Sequence, residues 1–205
     1  MENHPISKLE FTQAKALSEA TAIFQDLGFV VQATKKLSAL LKAGEPDQVI
    51  ARSLFTAALV SYVRCFSSGK RSVLTPEIYA PLQGEPIACH NLYKDTRDKH
   101  IAHSVNPFEE MLVGAVLSPF EAAIREVEGV ACLTASLITY DAEGVEQLGR
   151  LASFAQGHVA AKCKVLETEV LEIAKKMDVE KLYASAGLGF TAQGGPVAAG
   201  RPRKS

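Results

Sequence analysis

Residues 90–104 read HNLYKDTRDKHIAHS and gather Arg97, His100 and His103, with Lys94 and Lys99, at the end of one expected helix. Arginine offers a planar, permanently charged fork that matches phosphate oxygens. Histidine titrates near neutral pH and can move a proton at a reacting hydroxyl. Together they point to phosphate chemistry. On a regular helix, at roughly 100° per residue, Cys89, Leu92, Tyr93 and Thr96 share a face with His100 and His103. Arg97 lies at the edge of that face, while Asn91, Lys94 and Asp98 point away. Arg97 and His103 are then roughly 120° out of line. One helix does not aim both at a single atom, but two copies facing across a two-fold axis relax that constraint.

The elements that must position these residues follow from the hydrophobic spacing. In residues 11–42, Leu17, Ala20, Ile23, Phe24, Leu27, Val30, Leu37 and Leu41 recur at steps of three and four, one face of a long helix. Gly28 marks a possible kink, and Gly44 and Pro46 end the run. A second helix is expected over 47–66, with Pro46 in its first turn. Its broad apolar face includes Val49, Ile50, Leu54, Phe55, Ala58, Leu59 and Tyr62. Thr75-Pro76-Glu77 opens a short helix to Leu82, and the third main helix runs over 86–103, closed by Asn106-Pro107.

The pattern then changes. Residues 111–117 and 130–139 are rich in Val, Ile and Thr and alternate, which predicts two antiparallel strands. Asp141 caps a last and longest helix over 141–177, and a short turn follows at 179–183. The expected fold is mainly α, an antiparallel helical bundle with a small two-stranded β-hairpin before the last long helix. It forms one domain over 1–186, with the hairpin inserted at about 111–140. Residues 187–205 read as a flexible Gly/Ala/Pro tail with a basic end.

Arg97-Asp98, four further residues and then His103, on the penultimate long helix of a small bundle, resembles the HEPN superfamily. The local text RDKHIAHS is similar to its branch related to abortive-infection proteins. The resemblance implies a homodimeric bundle and, in active members, a metal-independent endoribonuclease of toxin type. Arg97 would hold the scissile phosphate and stabilise its developing charge. His103 would serve as general base or acid for the ribose 2′-hydroxyl. Asp98 would orient Arg97 or the histidine of the second copy. Lys99 and His100 stand beside them as phosphate-binding candidates. The alternative is a non-catalytic HEPN-like module that binds a nucleotide or a protein. Partners are then a second copy, RNA or a nucleotide, and an antitoxin or other protein.

A second basic patch spans 62–71. Its Ser-Gly-Lys-Arg echoes the end of a phosphate-binding loop, but the upstream glycine is missing and Arg71 replaces the required Ser or Thr. Arg64, Lys70 and Arg71 still qualify as phosphate-contacting groups, or as a basic helix end complementing the dipole. His90, His100 and His103 present a possible zinc set, yet no acid or cysteine falls beside them, so neither metal nor cofactor is expected.

The remaining composition narrows the class. The chain has 205 residues, 47% of them hydrophobic and 22% charged, and a formal charge of −1. These values exclude a disordered chain and a large basic nucleic-acid coat. No apolar run approaches the roughly 20 residues of a membrane helix. The start of the chain lacks a secretory pattern, so a cytoplasmic protein is expected. Cys65, Cys89, Cys132 and Cys163 form no Cys-x-x-Cys pair and are expected to be free and mostly buried.

Overall fold

The computed structural model describes residues 4–44, 46–67, 73–101 and 109–187; the side chains of residues 100, 101 and 109 are outside it. Helix α1 (Thr12–Lys42) and helix α4 (Ala142–Ala174) form the long axis. At 1.5 Å per residue they are about 46 and 50 Å long. They run antiparallel: Gly28 faces Gln156, Thr34 faces Gly149, and Ser38 donates to Glu146 at 2.7 Å. Gly28 does not break α1, which continues through it, and Gln156 occupies the space a side chain would take.

Helix α2 (Gln48–Arg64), a 3₁₀ turn (Pro76–Tyr79) and helix α3 (Pro86–Thr96) pack on this pair. Asp47 caps α2, its carboxylate accepting from the Val49 and Ile50 amides at 2.8 and 3.0 Å. Pro46 therefore precedes the cap and does not occupy the first turn. Ala51, Phe55, Ala58, Leu59 and Tyr62 form the buried stripe of α2. Val49 and Ile50 were expected on that face but stand in solvent, because they lie off the 51–55–58–62 row.

The core collects Leu27, Val30 and Leu37 from α1, Phe55, Leu59 and Tyr62 from α2, Tyr79, Tyr93, and Val145, Leu148 and Ala152 from α4. Asp141 caps α4 by accepting from the Gly144 amide at 2.8 Å. Helix α5 (Val179–Ser185) follows, capped by Asp178.

Strand β1 (Glu109–Leu117) pairs antiparallel with β2 (Val127–Ser136), from Glu109 opposite Ser136 to Leu117 opposite Val127. The second strand thus begins earlier and stops sooner than its alternation predicts. Ile138 and Tyr140, beyond its end, already pack on the helical core. The described core takes no residue from either strand.

Three further expectations are corrected. The third helix is not regular to residue 103: after Thr96 the chain enters a π turn, Arg97–Ile101. Leu92 does not share the buried face of Tyr93 and Thr96; it is exposed. Cys132 is exposed on the hairpin, whereas Cys65 is buried and Cys89 and Cys163 are half-buried; none of the four forms a disulfide. The tail expected over 187–205 lies, from residue 188 on, outside the described residues. No helix among the described residues is long and apolar enough to cross a membrane.

Candidate functional site

The inner face of α3 is anchored by polar contacts. Tyr93, fully buried, donates to the Gly144 carbonyl at 2.6 Å in the first turn of α4. Thr96 donates to the Leu92 carbonyl at 2.8 Å and meets the Tyr140 hydroxyl. Tyr140 in turn packs edge-on against Phe55 of α2. The end of α3 is therefore fixed on two sides before the chain reaches Arg97.

The π turn begins there. Its hydrogen bonds run from i to i+5, so it holds more residues per turn than an α-helix. The regular-helix offset between Arg97 and His103 does not apply through it. Arg97 and Asp98 are each about one-third exposed, at 32% and 33% of their side chains. Arg97 Nη1 donates to Asp98 Oδ1 at 2.6 Å, and Lys94 Nζ donates to Asp98 Oδ2 at 2.8 Å. Asp98 thus bridges two cations and does not point away from Arg97. Burial pushes its carboxyl upward, but the hydrogen bonds from Lys94 and Arg97 outweigh that and hold it below the usual carboxylate range.

The other candidates are placed differently. Lys99 pairs with Asp95 at 2.8 Å on the exposed side of the helix. Arg64 is engaged by Asp26 of α1, with Nε donating to Oδ2 at 2.7 Å and Nη2 to Oδ1. That pairing raises the arginine's affinity for its proton further. Arg64 closes the end of α2 whose Tyr62 touches His90, whereas the Phe55 level of α2 meets the Tyr140–Thr96 contact. Arg64 and Arg97 therefore sit at different levels of the bundle. Lys70, Arg71 and His103 lie outside the described residues, as does the His100 side chain.

A buried polar cluster was not anticipated. The Tyr62 hydroxyl lies 3.0 Å from both the Tyr79 hydroxyl and His90 Nδ1, and Tyr79 donates to the Leu151 carbonyl at 3.2 Å. His90, weighed as a zinc ligand, is instead 1% exposed inside the core. Burial, and then the charge of Lys94, push its pKa down, against a smaller opposing pull from Glu77. Burial pushes the Tyr62 and Tyr79 hydroxyls up. These shifts all favour the neutral forms, and the hydrogen bonds tie α2, the 3₁₀ turn, α3 and α4 together in the core. The legible signal was the polar tip that each of Tyr62, Tyr79 and Tyr93 must satisfy once buried.

Among the described residues, no group of three or more His, Cys, Asp or Glu is arranged to hold a metal ion. An open groove of about 610 Å³ runs between residues 82–86, Cys89, and Gln147, Arg150 and Phe154 of α4, but Arg97, Asp98 and Lys99 do not line it. Comparison with known proteins adds no relative: no family model, no curated protein and no solved structure matches the chain.

Proposed function

We propose that this chain is a HEPN-like homodimer that cleaves RNA as a metal-independent endoribonuclease of toxin or abortive-infection type. The observation that supports it is the Arg97–Asp98 turn. There a partly exposed guanidinium is oriented by a carboxylate that Lys94 holds in turn. In this reading Arg97 binds the scissile phosphate and stabilises the charge that develops on it. His103 takes the proton of the ribose 2′-hydroxyl. That oxygen attacks the adjacent phosphorus, the bond to the 5′-oxygen breaks, and the leaving oxygen takes up a proton. The products are a 2′,3′-cyclic phosphate and a free 5′-hydroxyl.

Arg97→Ala and His103→Ala are each expected to slow cleavage by about 100-fold or more, the usual cost of losing one such role. Cleavage should persist in EDTA, and His100→Ala should cost less. Cleavage that survives His103→Ala overturns these roles. A second reading rests on the same ion pair, since Asp98 competes with a phosphate for Arg97. In it the chain is a non-catalytic module that binds a nucleotide or a protein. Intact RNA across a broad substrate panel, together with tight nucleotide or protein binding, selects that reading.

A further inference from the structure

Residues on one face of the hairpin are apolar and in solvent. Side chains two apart on a strand share a face, as do directly paired residues. Met111, Val113, Ala115 and Leu117 of β1 therefore lie beside Thr134, Cys132, Val130 and Val127 of β2. Met111 is 82% exposed, Val130 73% and Val113 68%. The acidic residues Glu109, Glu110, Glu126 and Glu128 sit only toward the ends of the strands. A lone two-stranded hairpin is marginal in water, and an apolar strip of this kind marks an interaction surface.

The face is self-complementary. Its tip holds a cleft of about 630 Å³ whose apolar wall is Ala115, Leu117, Pro119, Phe120 and Val127 and whose rim carries Ser118, Arg125 and Glu126, with Phe120 itself 90% exposed. Its base carries Met111, a flexible side chain suited to filling irregular gaps. Knob and cleft lie at opposite ends of one face, and the Val113–Cys132 pair stands midway in the register between them. We propose that two copies of this chain dimerise through this face, the hairpins antiparallel and packed face to face. A two-fold axis passes beside Cys132, and Met111 of each copy enters the tip cleft of the other. Such a contact closes on itself and does not propagate. At roughly 100 Å² of apolar surface per large side chain, Met111, Val113, Leu117, Phe120, Val127 and Val130 bury roughly 600 Å² per copy. A standard stable interface buries about 800 Å² per partner.

The proposed function also calls for a homodimer; this inference goes beyond it in placing the contact on the hairpin, and the experiment separates that contact from cleavage. The full chain is sized by light scattering and sedimentation at micromolar concentration, then treated with a short bismaleimide. The wild type is expected at twice 22.0 kDa, with a crosslink that disappears in Cys132→Ser. Met111→Asp and Val113→Asp should each weaken the dimer by about 30-fold or more, as hot-spot residues do. Their helical circular dichroism should match the wild type, because the described core holds no strand residue. Arg97→Ala should stay dimeric and crosslink normally even if it loses cleavage. A monomeric wild type overturns the proposal, as does a dimer that survives both Asp variants.

Discussion

His90 shows how burial converts a titratable side chain into a structural one. Its ring is closed in by Tyr62, Phe66 and Tyr79, and Nδ1 meets the Tyr62 hydroxyl. Burial lowers its pKa below the ordinary histidine value of 6.5. The unfolded chain therefore binds this proton more tightly than the folded one. The stability His90 contributes is fully present above 6.5 and is lost as pH falls toward its folded value. Thermal melts between pH 7.5 and 5.5 should show the wild type losing stability on acidification. His90→Gln should lose less over the same interval, although it starts lower. Leaving Tyr62 without this partner costs about 1–3 kcal/mol. An equal pH slope in the two proteins would mean that His90 is protonated inside the fold.

At the scale of elements, α1 and α4 are held together by close approach as much as by apolar burial. A Cβ at Gly149 would stand 2.7 Å from Thr34 Oγ1 and 3.4 Å from Thr34 Cβ. Thr34 cannot swing aside cheaply, because its hydroxyl donates to the Val30 carbonyl at 2.8 Å inside the core. Gly149→Ala must push the helices apart and should destabilise by about 1–3 kcal/mol. Gly28 makes the opposite case. A Cβ there would meet only Gln156 Nε2, the mobile end of a long side chain. Alanine also favours helix over glycine by about 1 kcal/mol, so Gly28→Ala should be neutral or slightly stabilising. Chemical denaturation of both variants checks the contrast. The same elements show what the sequence made legible. Long helices, expected over 11–42 and 141–177 and found at Thr12–Lys42 and Ala142–Ala174, and a hairpin before the last one follow from steps of three and four giving way to alternation. The π turn does not follow, because five residues of apolar spacing cannot separate i+4 from i+5 bonding. The place of Arg97 and Asp98 at the end of the third helix could be read, and the resemblance implied that Asp98 orients Arg97, but the second hold on Asp98, from Lys94, could not. Nor could the engagement of Arg64, whose partner Asp26 lies 38 positions away on another helix.

On the scale of the whole molecule, the helices and the hairpin are separable in stability. Glu109 and Ser136 are direct partners at the open end of the sheet, so their Cα atoms lie about 5 Å apart. A linker of three or four glycines and serines can therefore replace residues 110–135 without moving the chain on either side. Tyr140, which meets Thr96, Phe55 and Tyr93, lies beyond the excision and stays in place. The deleted residues supply none of the described buried core. Their removal also relieves the chain of exposed Met111, Val113, Phe120 and Val130. The shortened protein should keep its helical circular dichroism and melt within about 3 °C of the parent monomer, a shift worth less than about 1 kcal/mol in a domain of this size. It should be monomeric, while the parent melts at a temperature that rises with protein concentration, as a dimer must. A collapse of the helical signal would show that the hairpin, despite its exposure, is required for the bundle to fold. A shortened protein that still dimerises would place the contact on the helices.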